Sequence, residues 1–163
     1  MSLGDNTLAA AQGTARRGRN TYIVQNIVDL ATALADKGSA LAAGDVIPVI
    51  AVKKGTMILN AGIEVVTATS GGTTTFDLGT AVDADCFVDG FDGSDSTAAG
   101  VVAQNAAAFQ PLLAVADDNI DLLLKTQSGT ALTTGKLRIF AVLMDISDTG
   151  IGEAVEVDRD YLA

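Results

Sequence analysis

The chain contains no histidine and no tryptophan, only one cysteine and two prolines, and aromatic residues make up 4% of it. Each scarcity excludes something. Without histidine there is no Ser-His-Asp or Cys-His nucleophilic site, no HExxH zinc site and no imidazole acid-base chemistry. A single thiol, Cys86, cannot form an intrachain disulfide, so the sequence gives no support to an oxidising compartment. No lysine or arginine stands near it in sequence to lower its pKa, and its apolar neighbours mark it as an inert core thiol. Few aromatics leave few platforms for stacking sugars or bases. No apolar run reaches the roughly 18 residues of a membrane span. The N-terminal apolar stretch Leu8 to Ala11 is too short for a signal-peptide core, and its arginines follow it, so no targeting signal is expected.

What is present is small and β-branched. Apolar residues are 48% of 163 residues, and Ala and Val account for much of that share. A chain of this length folded as one domain buries roughly 70% of the surface exposed when unfolded. Such side chains suit closely packed sheets. The 17 glycines against two prolines point to turns that need positive φ. The net charge of -10 disfavours nucleic acid and anionic membranes as partners of the folded body, since phosphate neutralisation needs clustered cations.

Along the chain, residues 1–20 read as an extended arm, with Arg16, Arg17 and Arg19 near its end. Residues 21–147 read as a β-sandwich or jelly-roll-like domain of seven or eight strands, and 148–163 as a last strand or a tail lying on a neighbour, ending near Tyr161 and Leu162. A first strand is expected over Thr21 to Val28. Asp29 can cap a short helix through Ala35 with Gly38 after it, although the alanine-rich stretch 31–43 also suits a loop. The run Val46 to Val52 is strand-like, and Pro48 within it argues for an edge or a bulge.

Two hairpins are expected. In the first, runs Thr56 to Leu59 and Ile63 to Thr69 flank Asn60-Ala61-Gly62 and continue through Ser70-Gly71-Gly72 into TTTFDLG. The second joins Asn119 to Thr126 and Lys136 to Ile146 by a connection containing Gly129 and Gly135. Between the hairpins, Cys86 to Phe91 reads as a strand and Asp92 to Ala99 as a surface loop, while 100–111 is ambiguous. The run Leu137 to Ile146 is apolar on both faces except at Arg138 and Asp145, which marks a central or intersubunit strand.

Motifs for chemistry are few. The stretch Gly129 to Leu137 fails the phosphate-loop spacing, and no GxGxxG follows a strand, so no nucleotide, cofactor or small-molecule substrate is expected. Asp83, Asp85, Asp89, Asp92 and Asp95 crowd one region and could offer oxygen ligands to Ca²⁺. Their spacing does not match an EF-hand, and they read first as carboxylates that solvate a loop and hold strand ends. The arm arginines fit an acidic protein surface or plain solvation better than nucleic acid.

Three stretches together carry a family resemblance: GSALAAGDVIPVIAVKKGTMILNAGIEVV with TSGGTTTFDLG, then DCFVDGFDGS, then NIDLLLKTQSGTALTTGKLRIFAVLMDIS. In this pattern of turns and β-runs the chain resembles the small virion structural proteins of tailed bacteriophages, notably head decoration or cement proteins. The resemblance implies a β-sandwich, often a homotrimer, made in the host cytoplasm. It would sit on the outer surface of the capsid, where subunits of the major capsid protein meet, and fasten them against packaged DNA. Arg16, Arg17, Arg19, Tyr161 and Leu162 are the contact candidates. A tail or fibre component would use the same kind of chain, and a calcium-dependent carbohydrate-binding jelly roll is the reading from another class. No catalytic residue is expected.

Overall fold

The computed structural model describes residues 20–104 and 110–146. They form β1 (Tyr22–Asp29), α1 (Leu30–Lys37), β2 (Val46–Val52), β3 (Thr56–Thr67), β4 (Thr73–Gly79), β5 (Val88–Asp92), β6 (Val102–Gln104), β7 (Leu112–Leu113), β8 (Asp118–Ser128) and β9 (Lys136–Asp145). All strand pairings are antiparallel. One sheet runs β1-β9-β3-β6, with β7 on the same edge of β3 as β6; the other runs β2-β8-β4-β5. The mainly β sandwich expected from composition is what forms. No described helix is long and apolar enough to cross a membrane.

The two-residue period of a strand sends alternate side chains to opposite faces, and here it builds one core from both sheets. The first sheet contributes Ile58, Ala61, Ile63 and Val65 from β3 with Leu137, Ile139, Ala141 and Leu143 from β9. The second contributes Phe76 and Leu78 from β4 and Ile120, Leu122 and Leu124 from β8. Leu30 on α1 closes one end. The helix starts where expected: the Asp29 side chain accepts from the Ala31 amide at 3.0 Å, and the Gly38 amide donates back to Leu34 and Ala35. Both readings of Pro48 hold, because β2 is an edge strand and its register shifts between Pro48 and Ile50.

Neither expected hairpin exists. Asn60-Ala61-Gly62 is not a turn but the middle of the continuous strand β3, which carries a register shift between Ile58 and Asn60. Asn and Gly can be tolerated there because a bulge bends the strand, and because the Phe140 ring lies where a Gly62 Cβ would be, 2.5 Å from its Cζ. β3 and β4 then lie in different sheets, as do β8 and β9. The segments between them are corners that cross from sheet to sheet, and the two corners run side by side. Ser70 ties them: its amide donates to the Thr134 carbonyl at 3.1 Å, and its Oγ accepts from the Thr133 and Thr134 amides at 2.9 and 3.1 Å. The Gly72 amide adds a bond to the Thr130 carbonyl. Leu132, buried between them, plugs the corner.

Other expectations are adjusted. β9 is a central strand, flanked by β1 and β3. The ambiguous stretch supplies β6, and residues 105–109 lie outside the described residues. Gly93 and Ser94, in the loop after β5, are buried, while Asp92 at the strand's end and Asp95 are exposed. The first of these is covered because the Gly93 amide bonds the Thr74 carbonyl and the Thr69 hydroxyl reaches the Gly93 carbonyl.

Gly135 closes the second corner at φ 130°, and a Cβ there would meet the Thr69 Cα at 2.8 Å; its carbonyl also accepts the Leu30 amide. Gly135→Ala combines backbone strain with a clash against main chain and is expected to lower stability by about 2–4 kcal/mol. Gly38→Ala, at φ 70° with nothing within 4 Å, should lose about 1 kcal/mol. Urea unfolding of the two variants measures the difference.

Candidate interaction surfaces

The outer face of the second sheet carries the charge. Phe76 and Leu78 point inward, so Asp77 between them points out, into the angle between β8 and β5. The β4–β8 register passes from Thr75↔Thr126 to Phe76↔Leu124, which leaves Lys125 as the extra residue of a bulge. The bulge brings its ammonium to both Asp77, at 3.3 Å, and Asp89. Asp77 is buried, and its other oxygen accepts the Gly90 amide at 2.6 Å. The Lys125 pKa is raised, first by its hydrogen bond to Asp89 and then by Asp77.

Asp85 joins this group. Carboxylate oxygens of Asp77, Asp85 and Asp89 lie within 4.8 Å of one another. The Asp85 carboxyl is held above the usual carboxylate range, first by its hydrogen bond with Asp83, then by desolvation and the neighbouring negative charges. Of the five expected carboxylates, then, Asp85 and Asp89 meet, with Asp77 completing the group and Asp83 joined to it through Asp85. Asp92 and Asp95 do not join it. The Asp92 carboxyl is held below its usual value, first by the Ser94 hydroxyl and then by the Ser94 amide, which it accepts at 2.9 Å, and the Asp95 amide bonds the Gly71 carbonyl. The Asp92 carboxylate thus fixes the turn after β5, while Asp95 contributes through its backbone amide. Calcium takes six to eight oxygens; here a lysine ammonium already lies against two of the three carboxylates.

The outer face of the first sheet is mainly apolar, with Gln25 on β1 and Gln104 on β6 exposed among its apolar side chains. Counting along the register, Ile23 and Ile27 of β1 share this side with Phe140, Val142 and Met144 of β9 and with Met57 of β3. Ile23 is 73% exposed, the β9 residues are half-buried, and Val102 on β6 is exposed beside them. One ion pair crosses the patch, Arg138 to Glu64 at 2.7 Å. The double-sided apolarity of Leu137 to Ile146 is the sequence signal for this face, while the strands beside it carry none.

Arg16, Arg17, Arg19, Tyr161 and Leu162 lie outside the described residues. Cys86 is half-buried against the core, and burial pushes its thiol up to about 11, with Asp83 adding to the rise.

In comparisons with known proteins, no protein-family model matches this sequence, and no curated protein matches it in sequence. Solved structures share the fold. A chain in the acidic stable capsid structure of Helicobacter pylori bacteriophage KHP30 is 14% identical, with a TM-score of 0.55 over 78% of this chain and 89% of that one. A chain in the capsid of Ralstonia phage GP4 is 15% identical, with a TM-score of 0.57 over 79% and 86%. A chain in the capsid asymmetric unit of cyanophage Pam1 is 15% identical, with a TM-score of 0.58 over 79% and 87%. At these identities the likeness is one of fold.

Two outcomes follow from these shifts, one for Asp85 and one for Cys86. A raised carboxyl pKa means the folded state resists ionisation, so Asp85 contributes most stability below about pH 3.8 and loses it as pH rises through its folded value. Asp85→Asn should therefore raise the thermal midpoint at pH 7 and give no gain at pH 3, read by circular dichroism. For Cys86, a pKa of about 11 against the ordinary 9.0 predicts alkylation by iodoacetamide at pH 8.5 roughly 50- to 100-fold slower in the folded than in the urea-unfolded chain.

Proposed function

We propose that this chain is a structural component of a bacteriophage virion, a decoration protein that binds the outer surface of the head where subunits of the major capsid protein meet and stabilises the shell against internal DNA pressure. The observation that carries the reading is the apolar outer face of the first sheet, in a fold shared with chains of three phage capsid structures. A sandwich that has already buried one complete core still exposes Ile23, Ile27 and Val102, and the favourable place for such a face is against another protein. The charged group on the opposite sheet serves structure in this reading, and the protein is not an enzyme.

The working division is an arm over 1–20, the sandwich over 21–147 and a tail over 148–163, with the protein acting as a homotrimer. Three copies present every contact three times, so contacts that are weak singly gain from effective concentration once the first forms. Arg16, Arg17 and Arg19 would pair with carboxylates of the coat, where bidentate guanidinium contacts are strongest.

Cryo-electron microscopy of the particle that carries this protein is the test. The expected result is density for the sandwich in threefold groups on the outside of the head; density in the tail or fibre, or absence from the particle, would sink the reading. In a reconstitution on purified heads, Ile23→Glu is expected to weaken binding about tenfold, equivalent to about 1.4 kcal/mol. Its own unfolding should be unchanged, because Ile23 lies outside the core.

A further inference from the structure

Sheet edges leave backbone donors and acceptors over, and folded proteins block them with proline, charge, bulges or brevity. Among the described residues, all the sheet edges but one are blocked in this way. β2 carries Pro48 with a register shift beside it. β5 is five residues long, shifts register against β4 and exposes the carboxylates of Asp89 and Asp92. β6 and β7, on the same edge of β3, have three and two residues. β1 has none of these devices. Its eight residues pair β9 without a register shift, and Thr21 to Val28 holds no proline and no charged side chain.

The register shows which of its groups are left over. In an antiparallel ladder, alternate residues turn both N–H and C=O toward the same neighbouring strand. The Leu30 amide reaches the Gly135 carbonyl at 3.0 Å, one step beyond the pair Asp29↔Lys136. The even-numbered residues of β1 therefore bond β9. Ile23, Gln25 and Ile27 turn their backbone groups away from it, and Thr21, just before the strand, continues the series. At Ile27 the open edge ends: its amide donates to the Asn26 Oδ1 at 2.8 Å, and the Asn26 Nδ2 donates to the Val49 carbonyl of β2 at 3.2 Å. What remains is Thr21, Ile23 and Gln25, all exposed, with Ile23 at the centre.

We propose that this edge binds the same edge of a second copy, in antiparallel pairing about a twofold axis at Ile23. Thr21 then faces the partner's Gln25, Ile23 faces its own counterpart, and up to about six backbone hydrogen bonds form. The edge itself specifies this occupant, because its outward residues are symmetric about Ile23 and each copy sets acceptors opposite the other's donors. Charge agrees: chains of net charge -10 meet at least cost through a neutral segment, and no like charges fall opposite one another across it. The contact also covers Ile23, which is 73% exposed, and makes the outer faces of the two first sheets continuous. The inference stands apart from the capsid reading, since it needs two copies and no head. Being twofold, the contact lies outside the threefold grouping proposed above and would join copies of adjacent groups.

The register makes a disulfide test direct. About this axis Tyr22 and the partner's Val24 form a non-hydrogen-bonded pair, with Cα atoms about 4.5 Å apart and within disulfide reach. Like residues lie on diagonals of about 7–8 Å, beyond that reach. In full-length chains freed of their own thiol by Cys86→Ala, Tyr22→Cys is mixed with Val24→Cys and oxidised with glutathione disulfide. The mixed disulfide is expected to form at least several-fold faster than the disulfide of either chain alone. Gln25→Pro in both chains removes an outward amide and leaves the β1–β9 ladder whole. It should slow the mixed disulfide several-fold with the urea midpoint unchanged, and the comparison of mixed with unmixed chains stands without it. Equal rates for mixed and unmixed chains, or no mixed disulfide between chains that unfold cooperatively, would overturn the proposal.

Discussion

The structure depends on one constraint, the side-by-side passage of the chain from sheet to sheet at residues 68–72 and 129–135. β3 continues into β4 through the first corner, and β8 into β9 through the second. Because β3 pairs β9 in one sheet and β4 pairs β8 in the other, the corners must lie together. Ser70 and Gly72 supply the hydrogen bonds that join them, and Leu132 fills the space beneath. Within the corners Thr69, Gly71, Leu132 and Gly135 are buried, and a backbone amide or carbonyl left unpaired there would lose both water and partner, at a cost of about 1–3 kcal/mol each.

From that constraint the division of labour between the two outer faces follows. The core consumes one face of each sheet, and what remains is an acidic face with one lysine set into it and an apolar face crossed by one ion pair. Lys125 reaches its two carboxylates only because a bulge in the β4–β8 pairing frees it from the regular alternation. Phe140 covers Gly62 for a related reason, an absent side chain on one strand making room for a large one on the next. Local irregularities thus place the groups that a regular sheet would have sent elsewhere.

Strand positions were legible because alternation and β-branched runs survive in the sequence: β1, β2, β8 and β9 lie close to where their apolar patterns put them. Pairing was not legible. Gly71-Gly72 and Gly129 with Gly135 are the residues of a hairpin turn and equally of a sheet-crossing corner, since both need tight or left-handed backbone. Asn60-Ala61-Gly62 misleads in the same way, a turn-like triplet absorbed into a bulged strand. Asp77 is not legible as a member of the group because it sits in TTTFDLG, on a different strand from Asp89, and only the β4–β5 pairing brings the two together.

The sequence alone determined that this is a β protein with a core of small and branched side chains, that histidine-based chemistry is impossible, and that Leu137 to Ile146 must be covered on both sides at least in part. Those conclusions rest on composition and on the two-residue period, which are properties of the chain before it folds. Which strand lies beside which, whether a glycine pair reverses the chain or carries it across, and which aspartates share a lysine were decided only by tertiary structure. The period of a strand assigns a side chain to a face but never names its neighbour, and the outer surfaces, charged on one sheet and apolar on the other, are made of neighbours.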